Sequence, residues 1–139
     1  MGRTQASSMI LNNGNGEILL QHRDDKPEIW MPNKWGTFGG GLKLGESPLE
    51  ALIREIRAEI EYKIKEGTSN YFTSKNFIYL GGGVVTVSFY SILDPSVRLE
   101  DLRLNEGRNF GFWSYDDLKE MDLIPGEREV FEMYFQSIR

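Results

Sequence analysis

Residues 36–62 read GTFGGGLKLGESPLEALIREIRAEIEY, and the fold turns on how this stretch divides. Ser47 followed three residues later by Glu50 is a capping box, and Pro48 stands at the first helical position, where its missing N–H is no loss. A helix is therefore expected to begin at Pro48. At 100° per residue, with Glu55 set at 0°, Leu49, Leu52, Ile53, Ile56 and Ile60 fall between about 60° and 160°. That is one apolar stripe, expected to face the core. Glu50, Arg54, Arg57 and Glu61 fall between about 200° and 260°, the expected solvent side. Between these arcs lie Glu55 at 0° and Glu59 at about 40°, flanked by Ala51 and Ala58. Like charges at i, i+4 repel by a few tenths of a kcal/mol. Two readings fit the pair: a solvated glutamate face, or hard oxygen ligands for a divalent cation, with the small alanines leaving room beside them. Upstream, Phe38-Gly39-Gly40-Gly41 lets the backbone approach a ligand closely, or simply makes a turn.

Outward from this stretch the chain reads as one α/β domain over residues 1–139. Its 139 residues suit a single core, and there is no repeat or Pro/Ser linker to divide them. Strands are expected at Ser7–Leu11, Gly16–Arg23, Phe77–Leu80, Val84–Leu93 and Phe110–Trp113, with Gly67–Lys75 as a loop. Ser114 looks like the N-cap of a short helix over Tyr115–Met121. Val130, Phe131, Tyr134, Phe135 and Ile138 mark a last amphipathic helix from Glu127. Asn76–Leu93 is uncharged for the length of a membrane span, but Gly81-Gly82-Gly83 divides it into two strands. The N-terminal MGRTQASSMIL has no hydrophobic segment of secretory length. The chain is expected to be soluble and cytoplasmic, with no membrane partner.

Composition limits the chemistry. Sixteen Lys and Arg against twenty-one Asp and Glu give a net charge of −5, which argues against a nucleic-acid polymer as partner. A phosphate ligand must then be neutralised by something besides surplus basic residues. No cysteine is present, and His22 is the single histidine. Thiolate zinc sites, cysteine nucleophiles and histidine-rich metal sites are excluded.

Gly40, Glu46, Arg54-Glu55-Ile56 and Glu59, separated by five, seven and two residues, resemble the signature of the Nudix hydrolases. In that pattern Ala58 replaces the first of a pair of glutamates, Glu61 a glycine, Tyr62 an aliphatic residue, and Phe38 a frequent proline. Asn105-Glu106-Gly107-Arg108, followed by Phe112-Trp113-Ser114, is similar to a segment of the MutT-like branch. The resemblance implies a Nudix-like mixed β-sheet sandwiched between helices. It also implies metal-dependent hydrolysis of a small nucleotide-type substrate, a nucleoside diphosphate linked to another group X, with Mg²⁺ (or Mn²⁺) as cofactor.

On that resemblance Glu59 is the first metal ligand, Glu55 a ligand or general base, and the Gly39 carbonyl a third ligand. Glu106 is either a further ligand or catalytic base, standing in for the carboxylate lost at Ala58, or a solvated loop charge. Gly40, Glu46 and Arg54 are read as structural or orienting. Arg23 meets a base or phosphate, or is an exposed strand-end arginine. Trp30, Trp35, Phe38 and Tyr90 are candidates for stacking a base, or are core. Two other functions stay open: a nucleotide-sugar hydrolase in which water attacks the sugar carbon, and a nucleotide-binding module with weak or no turnover. Neither the base, the group X nor the oligomeric state is legible.

Overall fold

The structure, a computed structural model, describes residues 4–139, so the first three residues of the N-terminal segment lie outside it. Seven strands form one mixed sheet: β1 (Thr4–Asn12), β2 (Glu17–His22), β3 (Trp35–Gly36), β4 (Phe38–Gly41), β5 (Ser69–Ile78), β6 (Val84–Leu93) and β7 (Asn109–Ser114). Three helices accompany it: α1 (Pro48–Ile60), α2 (Tyr115–Leu118) and α3 (Glu127–Ser137). The expected α/β class holds.

β1 runs parallel to β6, from Thr4↔Val85 to Asn12↔Leu93, and the other strand pairings are antiparallel. β1 and β2 meet at Asn12↔Ile18 and then part. β4 takes up the freed edge of β1, from Met9↔Phe38 to Ala6↔Gly41, while β3 takes that of β2 at Gln21↔Gly36. The glycine-rich β4 is thus inserted beside β1, and the chain leaves its end for α1.

Because successive strand residues point to opposite faces, β1 and β2 feed two cores. Met9, Leu11 and Leu19 join Leu52, Ile56 and Ile60 of α1. Ile10, Ile18 and Leu20 join Val130, Phe131 and Tyr134 of α3 on the other face. Leu52, Ile56 and Ile60 are fully buried, each contributing about 2 kcal/mol relative to exposure. Ser47 Oγ accepts from the Glu50 N–H while the Glu50 carboxylate accepts from the Ser47 N–H, so α1 starts where its capping box places it.

Some details differ from the sequence reading. Ile53, at the margin of the apolar arc, is 39% exposed. Ala51 is fully buried, its turn held to β1 by the Ser7 hydroxyl donating to the Pro48 carbonyl at 2.6 Å. Only Ala58 flanks the glutamate pair with an exposed surface. Ser69–Lys75 is strand rather than loop: it pairs with β6 from Ser69↔Ile92 onward, with an irregularity between Tyr71 and Thr73. That break in alternation, in a run rich in Ser, Thr and Asn, hides the strand's period. α2 stops at Leu118, three residues early. The uncharged Asn76–Leu93 is the end of β5, a glycine turn and β6. Among the described residues no helix is long and apolar enough to cross a membrane.

Candidate active site

The site is built where β4 meets α1. Gly39 lies so close to β1 that a Cβ there would stand 2.0 Å from the Ser7 carbonyl oxygen. Its N–H donates to Glu59 Oε1 at 3.0 Å. At Gly40 a Cβ would fall 2.1 Å from Glu55 Oε2 and 2.5 Å from its carboxyl carbon. Glu55 therefore lies directly over Gly40, and any side chain at that position would displace it. These contacts, rather than turn conformation, explain both glycines.

Arg54 acts as a clip. Its Nε donates to Glu46 Oε2 at 2.7 Å, Nη2 to Glu46 Oε1 at 2.8 Å and to the Gly41 carbonyl at 3.0 Å, and Nη1 to Glu55 Oε1. Hydrogen bonds from Arg54 first, and from the Lys43 N–H second, hold the Glu46 carboxyl down to about 2. Its hydrogen bonds to Glu46 first, and to Glu55 after it, push Arg54 above its ordinary value. Glu46 and Arg54 thus brace the loop over 41–46 against α1 and aim Glu55.

Glu59 is only 7% exposed. Burial first, then the nearby Glu106 and Glu55 carboxylates, push it up to about 9, against the pull of the Gly39 N–H. Among the described residues the ion pairs of this region, Arg54 with Glu46 and with Glu55, leave Glu59 with no cationic partner. The structure therefore brings Glu55, Glu59 and Glu106 together, across a sequence separation that only the fold can close. No three acidic or histidine side chains among the described residues meet at one point as a ready-made metal cage. The donor set nonetheless fits Mg²⁺ in kind, because that ion takes one or two carboxylates and fills its remaining positions with water and substrate phosphates. A cation would also answer the like-charge crowding at Glu59.

These carboxylates open onto a cavity of about 630 Å³, also lined by Arg23, Trp30, Thr37, Tyr79 and Glu127. Arg23, Glu59 and Glu106 line a second, smaller hollow as well, so all three border both spaces. Arg23 Nε donates to the Trp30 carbonyl at 2.9 Å, which anchors the loop over 23–34. Trp30 Nε1 donates to the Ile78 carbonyl at 3.1 Å, and its ring stacks on Tyr79 at 5.6 Å and 24°. The result is an apolar wall beside an acidic one.

Of the four aromatics singled out from sequence, only Trp30 lines the cavity. Phe38 is buried in the α1-side core, where Tyr90 also packs. Trp35 stacks on His22 at 4.7 Å and 6°. His22 has a packing role, its Nε2 lying 3.2 Å from the Asn33 carbonyl.

Sequence reasoning missed Glu127. It is buried, accepting from the Thr37 N–H at 2.9 Å and the Thr37 hydroxyl at 2.8 Å, and desolvation raises its pKa. The signal was present: Glu127, Val130, Phe131 and Tyr134 share the i, i+3, i+4, i+7 spacing of one inward stripe. Tyr79 carried no such signal, because it follows β5 in an irregular turn. Tyr62 resolves one departure from the family pattern: its ring is buried as an aliphatic side chain would be, while its hydroxyl donates to Asp94 Oδ2 at 2.7 Å.

Comparison with known proteins agrees with this arrangement. A family model described as the NUDIX domain matches residues 2–134. The nucleoside triphosphatase NudI of Escherichia coli O81 is 28% identical over 137 residues, covering 94% of this chain and 95% of its own. The MutT protein of Methanosarcina mazei superposes with a TM-score of 0.82 at 22% identity, over 99% of this chain and 96% of the other. The NUDIX domain of Shewanella oneidensis NrtR, solved with ADP ribose, gives 0.79 at 14% identity over 100% and 90%. The two structural likenesses concern the fold alone. The family model, carried on a strand, loop and helix that set Gly40, Glu46, Arg54, Glu55 and Glu59 as described, decides the matter: this chain belongs to the NUDIX domain family.

Proposed function

We propose that the chain hydrolyses the pyrophosphate linkage of a nucleoside triphosphate, or of another nucleoside diphosphate joined to a group X, with a divalent cation held at Glu59 and Glu55. The observation that carries this reading is the convergence of Glu55, Glu59 and Glu106 on one wall of a cavity that also presents Trp30, Tyr79 and Arg23. Its volume of about 630 Å³ falls in the range of small-molecule sites. The similarity to NudI, named as a nucleoside triphosphatase, favours a triphosphate.

In this reading Glu59 and Glu55 supply carboxylate oxygens to the cation, and the Gly39 carbonyl is a further candidate ligand. When bound, such an ion neutralises phosphate oxyanions and makes the attacking water more acidic. Glu106, or the Glu55 oxygen not held by Arg54, accepts the proton that the water gives up on attacking phosphorus. Arg23 meets the phosphates, since its Nη groups make no hydrogen bond to another described residue while its Nε is tied to the loop. Trp30 and Tyr79 offer ring faces to the base.

The test is a panel of nucleoside triphosphates and diphosphate-linked nucleotides incubated with Mg²⁺, Mn²⁺ or chelator, with products identified. Nucleoside monophosphate plus pyrophosphate or X phosphate, formed only with metal, is the expected result. Nucleoside diphosphate plus free sugar would show attack at carbon instead. Metal-dependent binding without turnover across the panel would reduce the chain to a nucleotide-binding module and contradict the proposal.

A further inference from the structure

The last turn of α1 is finished by a distant segment of the chain. An isolated helix leaves its final carbonyls without partners. Here the Arg57 carbonyl accepts from the Glu61 N–H at 3.0 Å, and the other three are met from the loop over 102–108. The Ala58 carbonyl accepts from Asn105 Nδ2 at 3.1 Å, the Glu59 carbonyl from the Asn105 N–H at 2.9 Å, and the Ile60 carbonyl from the Arg103 N–H at 3.0 Å. Asn105 Nδ2 also donates to Glu61 Oε2 at 3.0 Å.

Glu61 caps the helix in the left-handed region, at φ 55° and ψ 35°. A glycine adopts that conformation freely, whereas a residue with a Cβ is disfavoured there. The chain nonetheless places at this position a side chain whose carboxylate ends on Asn105. The next residue along the loop is Glu106, one of the two carboxylates that crowd Glu59.

We propose that Glu61 and Asn105 are a positioning pair, which docks the loop over 102–108 onto the C-terminal end of α1 and thereby holds Glu106 against Glu59. This rests on Glu106 being a member of the acidic site. It explains how a box with alanine at position 58 keeps a third carboxylate in reach, by fastening one from another loop. The same hydrogen bonds would also serve a plain helix cap, so the test must read something that a cap does not control.

Four variants of the full chain separate the possibilities: Glu106→Ala, Asn105→Ala, Glu61→Gly and Glu61→Gln. Two readouts are taken. One is the Mn²⁺ concentration giving half of the metal-induced rise in melting temperature, which needs no turnover; the other is kcat and KM for a nucleoside triphosphate. Asn105→Ala and Glu61→Gly are expected to raise the half-saturating Mn²⁺ about tenfold, the scale of losing an outer-shell partner, and to lower kcat with KM little changed. Glu61→Gly, relieved of its left-handed side chain, should keep its metal-free melting temperature, so its loss is not one of folding. Glu61→Gln still accepts from Asn105 and should behave as the parent. If Glu61→Gly and Asn105→Ala change only the melting temperature, the pair is a cap and the proposal is overturned. Glu61→Gln as impaired as Glu61→Gly would overturn it too. An unaffected Glu106→Ala would remove Glu106 from the site, and the proposal with it.

Discussion

At Glu59 a buried carboxylate meets one neutral donor, the Gly39 N–H, and two like charges, Glu55 and Glu106. Such a group is poor for stability and suited to a cation. Glu59→Gln keeps an oxygen for Gly39 and removes the charge, so the melting temperature should hold or rise. Turnover at saturating Mg²⁺ should fall by about two orders of magnitude, the scale of losing one transition-state electrostatic contact. Near-parent turnover would remove Glu59 from the chemistry. Ala58 makes the converse case. Ala58→Glu adds a third carboxylate beside Glu55 and Glu59 on one face of the helix, and without metal each new like pair should lower stability by a few tenths of a kcal/mol. With Mn²⁺ the sign should reverse, because a ligand bound only by the folded state stabilises it. A larger metal-induced rise in melting temperature than the parent's is the expected reading. No change in metal response would mean that this face of α1 does not hold the ion.

The elements show why some of this was legible and some was not. α1 could be read because its capping box and its apolar period adjoin in one short stretch, Ser47 to Ile60. Ser47→Ala should lower its stability by about 1 kcal/mol in urea unfolding; an unchanged midpoint would show that the capping hydrogen bonds add nothing. The first part of β5, Ser69–Lys75, could not be read, because its irregularity at Tyr71–Thr73 breaks the alternation that marks a strand. α3 was legible as a stripe, but the carboxylate at the head of that stripe marked only where the helix begins. Glu127 gives a pH prediction there. Its folded pKa is raised by burial. Its contribution to stability is therefore full below about 4.5, the ordinary value, and is lost as pH rises through the folded value. Glu127→Gln can still accept from the Thr37 N–H and donate to its hydroxyl. The difference in urea midpoint between Glu127→Gln and the parent should grow in favour of the variant from about pH 4.5 upward. Parallel profiles would contradict a charge held out of water at this position.

Across the whole molecule the site is a product of where β1 and β2 part. The box residues could be assigned from spacing, since one strand, one loop and one helix carry them. Glu106, Trp30 and Tyr79 reach the same cavity from three other loops, and no local pattern specifies that meeting. Arg23 was legible only as the end of a strand that points the right way. Stacking a base and lying in the core were likewise inseparable in sequence: Phe38 and Tyr90 pack into the α1-side core, and Trp35 packs with His22 and Trp113 on the face it shares with Trp30. In the proposed function this wall of carboxylates serves attack of water at phosphorus. Hydrolysis of a nucleoside triphosphate in ¹⁸O-labelled water, with Mn²⁺, followed by mass spectrometry of both products, tests that claim most directly. Metal-dependent turnover with the label in a phosphate or pyrophosphate product is the expected result. Label in a sugar hydroxyl, or turnover indifferent to chelator, would contradict it.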